Sequence, residues 1–208
     1  SDELFLWSSL LLAARYRRPA HSLMPACLSR IEQLIDSETD VNQKTSAAIA
    51  LLNYCNVAAD LNRALPLIRR ITSLIESHDL SALNQAYWWL TLGFHHHLNA
   101  KGPACLEALD RADRIAAGHG LVRAQVMSGI FRVYCLTAVR DTDAAEAVIE
   151  TVAPLVDHAR PMDMASLHLA RYTIGFLRSN AGTASHYARL GMAAALQTGS
   201  HSHSVIWR

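Results

Sequence analysis

Apolar residues recur at three- and four-residue spacing along the whole chain of 208 residues. This spacing is the period of amphipathic helices, and the sustained alternation of β-branched and polar residues that marks a half-buried strand does not occur. The helical stretches end at Gly, Asn, Asp, Ser and Pro, which cap helices or allow a positive φ. The pattern therefore predicts an all-α protein of about ten helices in antiparallel pairs.

Two short segments recur and indicate internal repeats. Residues 7–14 align with residues 89–96, and both segments begin with Trp. The sequence Pro-Ala-Cys-Leu occurs at 25–28 and again at 103–106. Both offsets are close to twice a length of about 40 residues, which is typical of a helical repeat. We therefore predict one domain, a right-handed α-solenoid of about five helix hairpins. The predicted hairpins are 3–36, 44–78, 82–118, 121–159 and 163–199, and 200–208 is expected to begin a further unit of a longer protein.

The third unit carries a specific motif. In its first helix, Trp89, Leu92, Gly93 and His96 follow the spacing W-x2-L-G-x2-Y. In its second helix, a small, a bulky and a small residue follow, which are Cys105, Leu109 and Ala112. This pattern resembles the tetratricopeptide (TPR) repeat. It departs from that repeat because His96 stands at the usual Tyr position and the period is about 40 rather than about 34 residues. The other four units match in hydrophobic pattern alone.

Longer and more degenerate units of this length resemble the sensor regions of MalT-like transcription regulators, which are LuxR-type bacterial proteins of the STAND ATPase class. The resemblance implies that the segment senses a ligand or partner, and that ATPase and DNA-binding modules lie elsewhere in the chain. Binding across several units would stiffen the stack. The alternative is a general adaptor that binds a peptide or pairs with itself through its ends.

The consecutive histidines His95, His96 and His97 raise the question of a metal site. Successive helical residues point about 100° apart, so the three rings cannot converge on one ion. Two zinc ligands on one helix are normally four residues apart. Four residues before His95 the chain has Thr91, and four residues after the three histidines, at 99–101, it has no residue that ligates zinc. We expect no metal. We expect His96 to pack within its hairpin, His95 to face outward and His97 to lie on the inner surface.

The register that buries Trp89 and His96 places a second stripe on the concave face that TPR-like domains use for ligands. The predicted groove residues are Ile49, Asn53, Asn56, Tyr87, Leu90, Phe94, His97, Met127 and Tyr134, and Leu98 ends the stripe on the third unit. The two asparagines can fix a peptide backbone or a sugar through paired donors and acceptors. A protein or peptide segment, or a small-molecule effector, is the expected occupant. The alternative is a tightly wound superhelix whose inner face is core.

Charge and motifs give little support to other functions. Nineteen basic residues stand against eighteen acidic ones and form no stripe, so we expect no direct nucleic-acid contact. Asp141 and Asp143 lie at a helix start, where capping explains them, and the polar stretch from Asp157 to His168 is expected to be an ordinary loop. No Walker motif is present. We therefore expect neither catalysis nor a cofactor.

The four cysteines, Cys27, Cys55, Cys105 and Cys135, are too far apart in sequence to form a CxxC or CxxH motif. Each lies in an apolar helical context, so we expect four small buried side chains that stay reduced in the cytoplasm. The acidic start of the chain differs from a signal peptide, and no apolar run approaches the roughly 18 residues of a membrane span. We therefore expect a cytoplasmic protein without membrane contact. The sequence leaves open whether it forms a homo-oligomer.

Overall fold

The computed structural model describes residues 2–17 and 21–199, and within them all regular structure is helical, which confirms the all-α class. The helices are α1 (Asp2–Arg17), α2 (Met24–Ser37), α3 (Val41–Ala58), α4 (Leu61–Ser77), α5 (Ala82–Leu98), α6 (Gly102–Gly118), α7 (Val122–Ala138), α8 (Thr142–Val152), α9 (Pro161–Leu177) and α10 (Ala181–Gln197). A short 3-10 turn, Ala153–Leu155, follows α8. The sequence also predicts a helix break at Arg18-Pro19; this break and the predicted further unit at 200–208 lie outside the described residues.

The helices pack as five neighbouring pairs, from α1 with α2 to α9 with α10. The first helices of the pairs also contact one another in series, in the order α1, α3, α5, α7 and α9, and we call them the first-helix row. Packing of each unit on its immediate neighbours is the defining contact pattern of a helical solenoid. The contacts therefore confirm the predicted helical-repeat architecture.

The turns inside four of the hairpins share one backbone conformation. The residues in the left-handed region, with φ between 55° and 63°, are Ala59, Ala100, Arg140 and Ser179. The residue after each donates its amide to the carbonyl five positions earlier, as Asp60 does to Cys55 at 2.9 Å. This bond satisfies a free carbonyl at the end of the first helix, as in a Schellman motif. The four turns are about 40 residues apart, the predicted period.

Three of the second helices, α4, α8 and α10, begin at a polar residue whose side chain caps the helix. The side chains of Asp60, Asp141 and Asn180 accept a hydrogen bond from the amide three residues later, which satisfies one of the free donors of the first turn. The capping role predicted for Asp141 is confirmed. Asp143 instead forms an ion pair with Arg178 of the next hairpin, at 2.6 Å.

Glycines on three first helices let the paired helix approach closely. A Cβ atom on Gly93 would lie 2.8 Å from Leu109 Cδ2 of α6, and one on Gly129 would overlap Val152 Cγ2 of α8. Gly175 makes the equivalent approach to α10. Gly93, the glycine of the TPR-like motif, therefore allows α6 to approach α5 closely. Trp89, only 9% exposed, packs beneath the α6 guanidinium of Arg111, which lies 4.5 Å from the centre of the ring.

Candidate binding surface

The predicted groove residues lie on α3, α5 and α7, where the helices of the first-helix row face one another. Leu90 and Asn56 are buried, with 4% and 8% of their surface exposed, so neither offers a free side chain to a ligand. The partly exposed members of the set are Ile49, Asn53, Tyr87, Phe94, His97, Met127 and Tyr134. Leu90 and Asn56 therefore fit the interpretation that the inner face is core, whereas the partly exposed residues fit the interpretation that it is an open groove.

Polar side chains join α3 to α5. Asn53 Nδ2 donates to Thr91 Oγ1 at 3.2 Å, and Asn56 Nδ2 donates to the Thr91 carbonyl at 3.4 Å. Asn56 Oδ1 lies 2.8 Å from His95 Nδ1. Because the Asn56 amide group is engaged, its oxygen is the acceptor and His95 Nδ1 carries the proton. The side-chain N–H donors of the two asparagines considered for ligand binding are therefore engaged within the protein.

His95 is 2% exposed, so the expectation that it faces outward is wrong. The helix α5 packs against its own partner, α6. In the structure α5 also contacts α3 and α7, so little of its surface remains free. Burial lowers the pKa of His95 and so favours the neutral ring, and the bond to Asn56 then selects the tautomer with the proton on Nδ1.

Aromatic side chains join α5 to α7. We call Phe94, His97, Phe131 and Tyr134 the aromatic row. The rings of Phe94 and Phe131 are stacked, with their centres 4.8 Å apart, and the Phe131 and Tyr134 centres are 6.2 Å apart. The His97 ring lies 6.2 Å from that of Tyr134, whose hydroxyl donates to the Ser166 carbonyl of α9 at 3.2 Å. The row therefore connects three consecutive first helices, and all four side chains are partly exposed.

Phe131 was missed by the sequence reasoning. The groove predicted for the fourth unit named Met127 and Tyr134 alone; between them Ile130 is fully buried, and Phe131 takes the inner position. Phe131 lies four residues after Met127 and three before Tyr134, so helical periodicity places all three on one face. That spacing was the available signal. The choice between adjacent residues depended on a register that the weak motif of the fourth unit left open.

The sulfur atoms of Cys105 on α6 and Cys135 on α7 are paired in direct contact, with their Cα atoms 7.4 Å apart, just beyond the roughly 4.4–6.8 Å that a formed disulfide spans. The expectation of four separate cysteines is therefore wrong for this pair. Sequence spacing concealed the contact because the residues are 30 positions apart, and only the packing of one hairpin on the next brings them together. His97 Nδ1 lies 3.6 Å from Cys135 Sγ. Cys27 and Cys55 are free and buried.

Two of the cavities that border the described part of the chain bear on the predictions. The smaller, of about 190 Å³, lies between α4 and the third hairpin and includes Glu76, Trp89, His96 and Arg111 among its lining residues. His96 thus packs against α6, as expected, and its buried Nδ1 has no hydrogen-bond partner among the described residues. The larger, of about 400 Å³, lies at the turns of the fourth and fifth hairpins, near Arg140. Neither contains a residue of the predicted groove.

Side chains that ligate metals or transfer protons are dispersed. Across residues 2–17 and 21–199, no group of three or more His, Cys, Asp or Glu side chains is placed to hold a metal ion. In the polar stretch after α8, Asp157 accepts from the Ala159 amide at 2.9 Å and pairs with Arg160 at 3.1 Å, which is ordinary loop geometry. Asp163 and His168 instead lie in α9 and are buried, so the expectation of a loop is wrong for this part of the stretch. No helix in the described residues has the length and apolar character needed to cross a membrane.

No family model, no curated protein and no solved structure matches the chain. The helical-repeat class therefore rests on the paired helices and their contacts in series. The narrower likeness to MalT-like regulators rests on the sequence pattern alone.

Proposed function

We propose that the chain is a non-catalytic scaffold that binds an extended, largely apolar partner segment or effector along the first-helix row. The observation that carries this proposal is the aromatic row, whose partly exposed rings cross the third and fourth units and reach the fifth. Partly exposed Tyr87 and Met127 extend the same surface. Aromatic side chains on a rigid support are the usual anchors of protein recognition, because they bury much area at a small cost in conformational entropy.

The polar groups nearby favour an apolar occupant over a sugar. The amides of Asn53 and Asn56 already have partners in α5, so few donors remain free to orient hydroxyl groups. Burial lowers the pKa of His97, so at neutral pH this residue adds no positive charge to the surface. Apolar side chains of a peptide, seated between the rings of α5 and α7, match this chemistry best.

The resemblance extends the proposal. In a MalT-like regulator, a bacterial cytoplasmic protein, an occupant that bridges several hairpins would stiffen the solenoid, and ATPase and DNA-binding modules elsewhere would respond. An adaptor that self-associates is the second candidate. Exposed apolar side chains on the first and last hairpins favour it, since Phe5 is 69% exposed, Leu6 65%, Phe176 64% and Leu196 62%.

Site-specific photo-crosslinking tests the proposal and distinguishes the two candidates. A benzophenone amino acid is placed at Leu98, one turn beyond Phe94 on α5, and separately at Leu65 on α4. These positions are matched, with 49% and 45% exposure. A third probe replaces Leu196 on the last helix. In an extract of the source organism, a partner captured at Leu98 and absent at Leu65 supports the binding scaffold, whereas capture of a second copy of the chain at Leu196 alone supports the adaptor.

A further inference from the structure

A pair of cysteines in contact joins two hairpins directly beside the aromatic row. Cys105 belongs to the second helix of the third hairpin, and Cys135 belongs to the first helix of the fourth. Cys135 follows Tyr134 in α7, and its sulfur lies 3.6 Å from Nδ1 of His97. The pair therefore spans the same junction that the stacked rings of Phe94 and Phe131 cross.

The other two cysteines, Cys27 and Cys55, are free and buried and do not form a pair. Cys27 is 1% exposed and its thiol donates to the Trp7 carbonyl at 3.7 Å, while Cys55 is also 1% exposed. Burial raises the pKa of both thiols, that of Cys55 to about 12, and the thiolate is the reactive form. The chain thus contains two cysteines without a sulfur partner and one pair in contact, and this contact, rather than exposure, distinguishes Cys105 and Cys135.

We propose that Cys105 and Cys135 form a reversible dithiol–disulfide latch between the third and fourth hairpins, closed by a hydroperoxide and opened by glutathione. Disulfides in a reducing compartment are mostly transient and redox-sensing. The consequence for binding rests on the proposed function: closure fixes α6 against α7 and so fixes the spacing of Phe94 and Phe131 to which an occupant binds.

The surroundings of the pair assign a role to each residue. Cys135 keeps 7% of its surface exposed and Cys105 none, so the peroxide reaches Cys135 first. His97 is neutral at pH 7, because burial lowers its pKa, and its Nδ1 accepts the Cys135 thiol proton. His97 is partly exposed and provides the route for that proton to solvent.

The reaction then balances in two steps. The Cys135 thiolate attacks one peroxide oxygen, the O–O bond breaks, and Cys135 becomes a sulfenic acid while the other oxygen leaves as water or an alcohol with the proton held by His97. The Cys105 sulfur attacks the Cys135 sulfur, the S–S bond forms and water leaves. Two thiols lose two electrons in total, and the peroxide gains them. Glutathione reverses the change by thiol–disulfide exchange through a mixed disulfide.

Thiol trapping on the intact purified chain tests the latch. The protein is reduced, exposed to hydrogen peroxide, denatured with an alkylating reagent and mapped by mass spectrometry. We expect a Cys105–Cys135 peptide, alkylated Cys27 and Cys55, full recovery of thiols with reduced glutathione, and a melting temperature higher by several degrees in the oxidised form. Cys135→Ser should abolish the link, and Cys55→Ser, the matched control, should retain it.

Two variants test whether Cys135 is the residue that reacts with peroxide and whether His97 accepts its proton. A disulfide with only a structural role would require neither. Cys105→Ser should leave Cys135 as a sulfenic acid that dimedone traps. His97→Gln should slow oxidation about tenfold at pH 7, and the difference from the wild type should narrow as the pH rises, because hydroxide then replaces His97 as the proton acceptor.

The proposal is overturned by four alkylated thiols after peroxide treatment, by links that include Cys27 or Cys55, or by a bond that glutathione leaves intact in the folded protein. These readouts need no partner. Crosslinking from Leu98 in a Cys105→Ser/Cys135→Ser variant tests binding by itself, so failure of one proposal is distinguishable from failure of the other.

Discussion

Replacing Gly129 by alanine tests the packing inside a hairpin. The added methyl group would overlap Val152 Cγ2, and the Cβ and Cγ1 atoms of that valine lie only 3.4 and 3.5 Å away. Rotation of a β-branched side chain gives little relief, so α7 and α8 must move apart. Overpacking of this kind costs about 1–3 kcal/mol, and the better helix propensity of alanine returns up to about 1 kcal/mol. We expect a net loss of about 1–2 kcal/mol in the free energy of unfolding.

Two other glycines provide matched comparisons. Gly93→Ala meets the flexible end of Leu109, so it should cost less than Gly129→Ala, whereas a Cβ on Gly118 has nothing within 4 Å and Gly118→Ala should stabilise α6 by about 0.5–1 kcal/mol. Urea unfolding followed by circular dichroism gives the order. If Gly129→Ala proves as stable as Gly118→Ala, the close contact of α7 with α8 is refuted.

Three further predictions use the same unfolding assays. Ala59→Gly should raise stability by up to about 1 kcal/mol because Ala59 has φ 55°, while Ala58→Gly, inside α3, should lower it; the same sign for both would refute the turn conformation. Burial lowers the pKa of His95, so the unfolded chain takes up a proton first and stability should fall as pH drops below the ordinary histidine range near 6.5, less steeply in His95→Gln; stability that rises on acidification contradicts this. A double-mutant cycle on Phe94→Ala and Phe131→Ala should give a coupling of about 0.5–1.5 kcal/mol, and additive effects would mean that the rings do not stack.

The architecture was largely readable from the sequence because it depends on local signals. Helical periodicity, polar caps such as Asp141 and the small residue Gly93 each act within one hairpin, and each was found where the pattern placed it. Repetition at a period of about 40 residues then implied stacking, since an isolated hairpin leaves apolar surface exposed.

The candidate surface was less readable because it depends on contacts between hairpins. His95 was assigned outward, yet Asn56 from the preceding unit meets it, and Phe131 rather than Ile130 faces the inner side. A one-residue change of register rotates a helical position by about 100°, and nothing local fixes the register of a degenerate unit. Pairing of Cys105 with Cys135 likewise appears only when the third hairpin lies against the fourth.

The claim that the first-helix row is the binding surface is tested most directly by affinity. The partner captured at Leu98 is titrated against the wild type and against Leu98→Glu and Leu65→Glu, two matched surface substitutions on the row and away from it. The account predicts that Leu98→Glu weakens binding by about tenfold or more, while Leu65→Glu stays within about twofold of the wild type. Equal effects of the two substitutions, or a loss with Leu65→Glu alone, would contradict it.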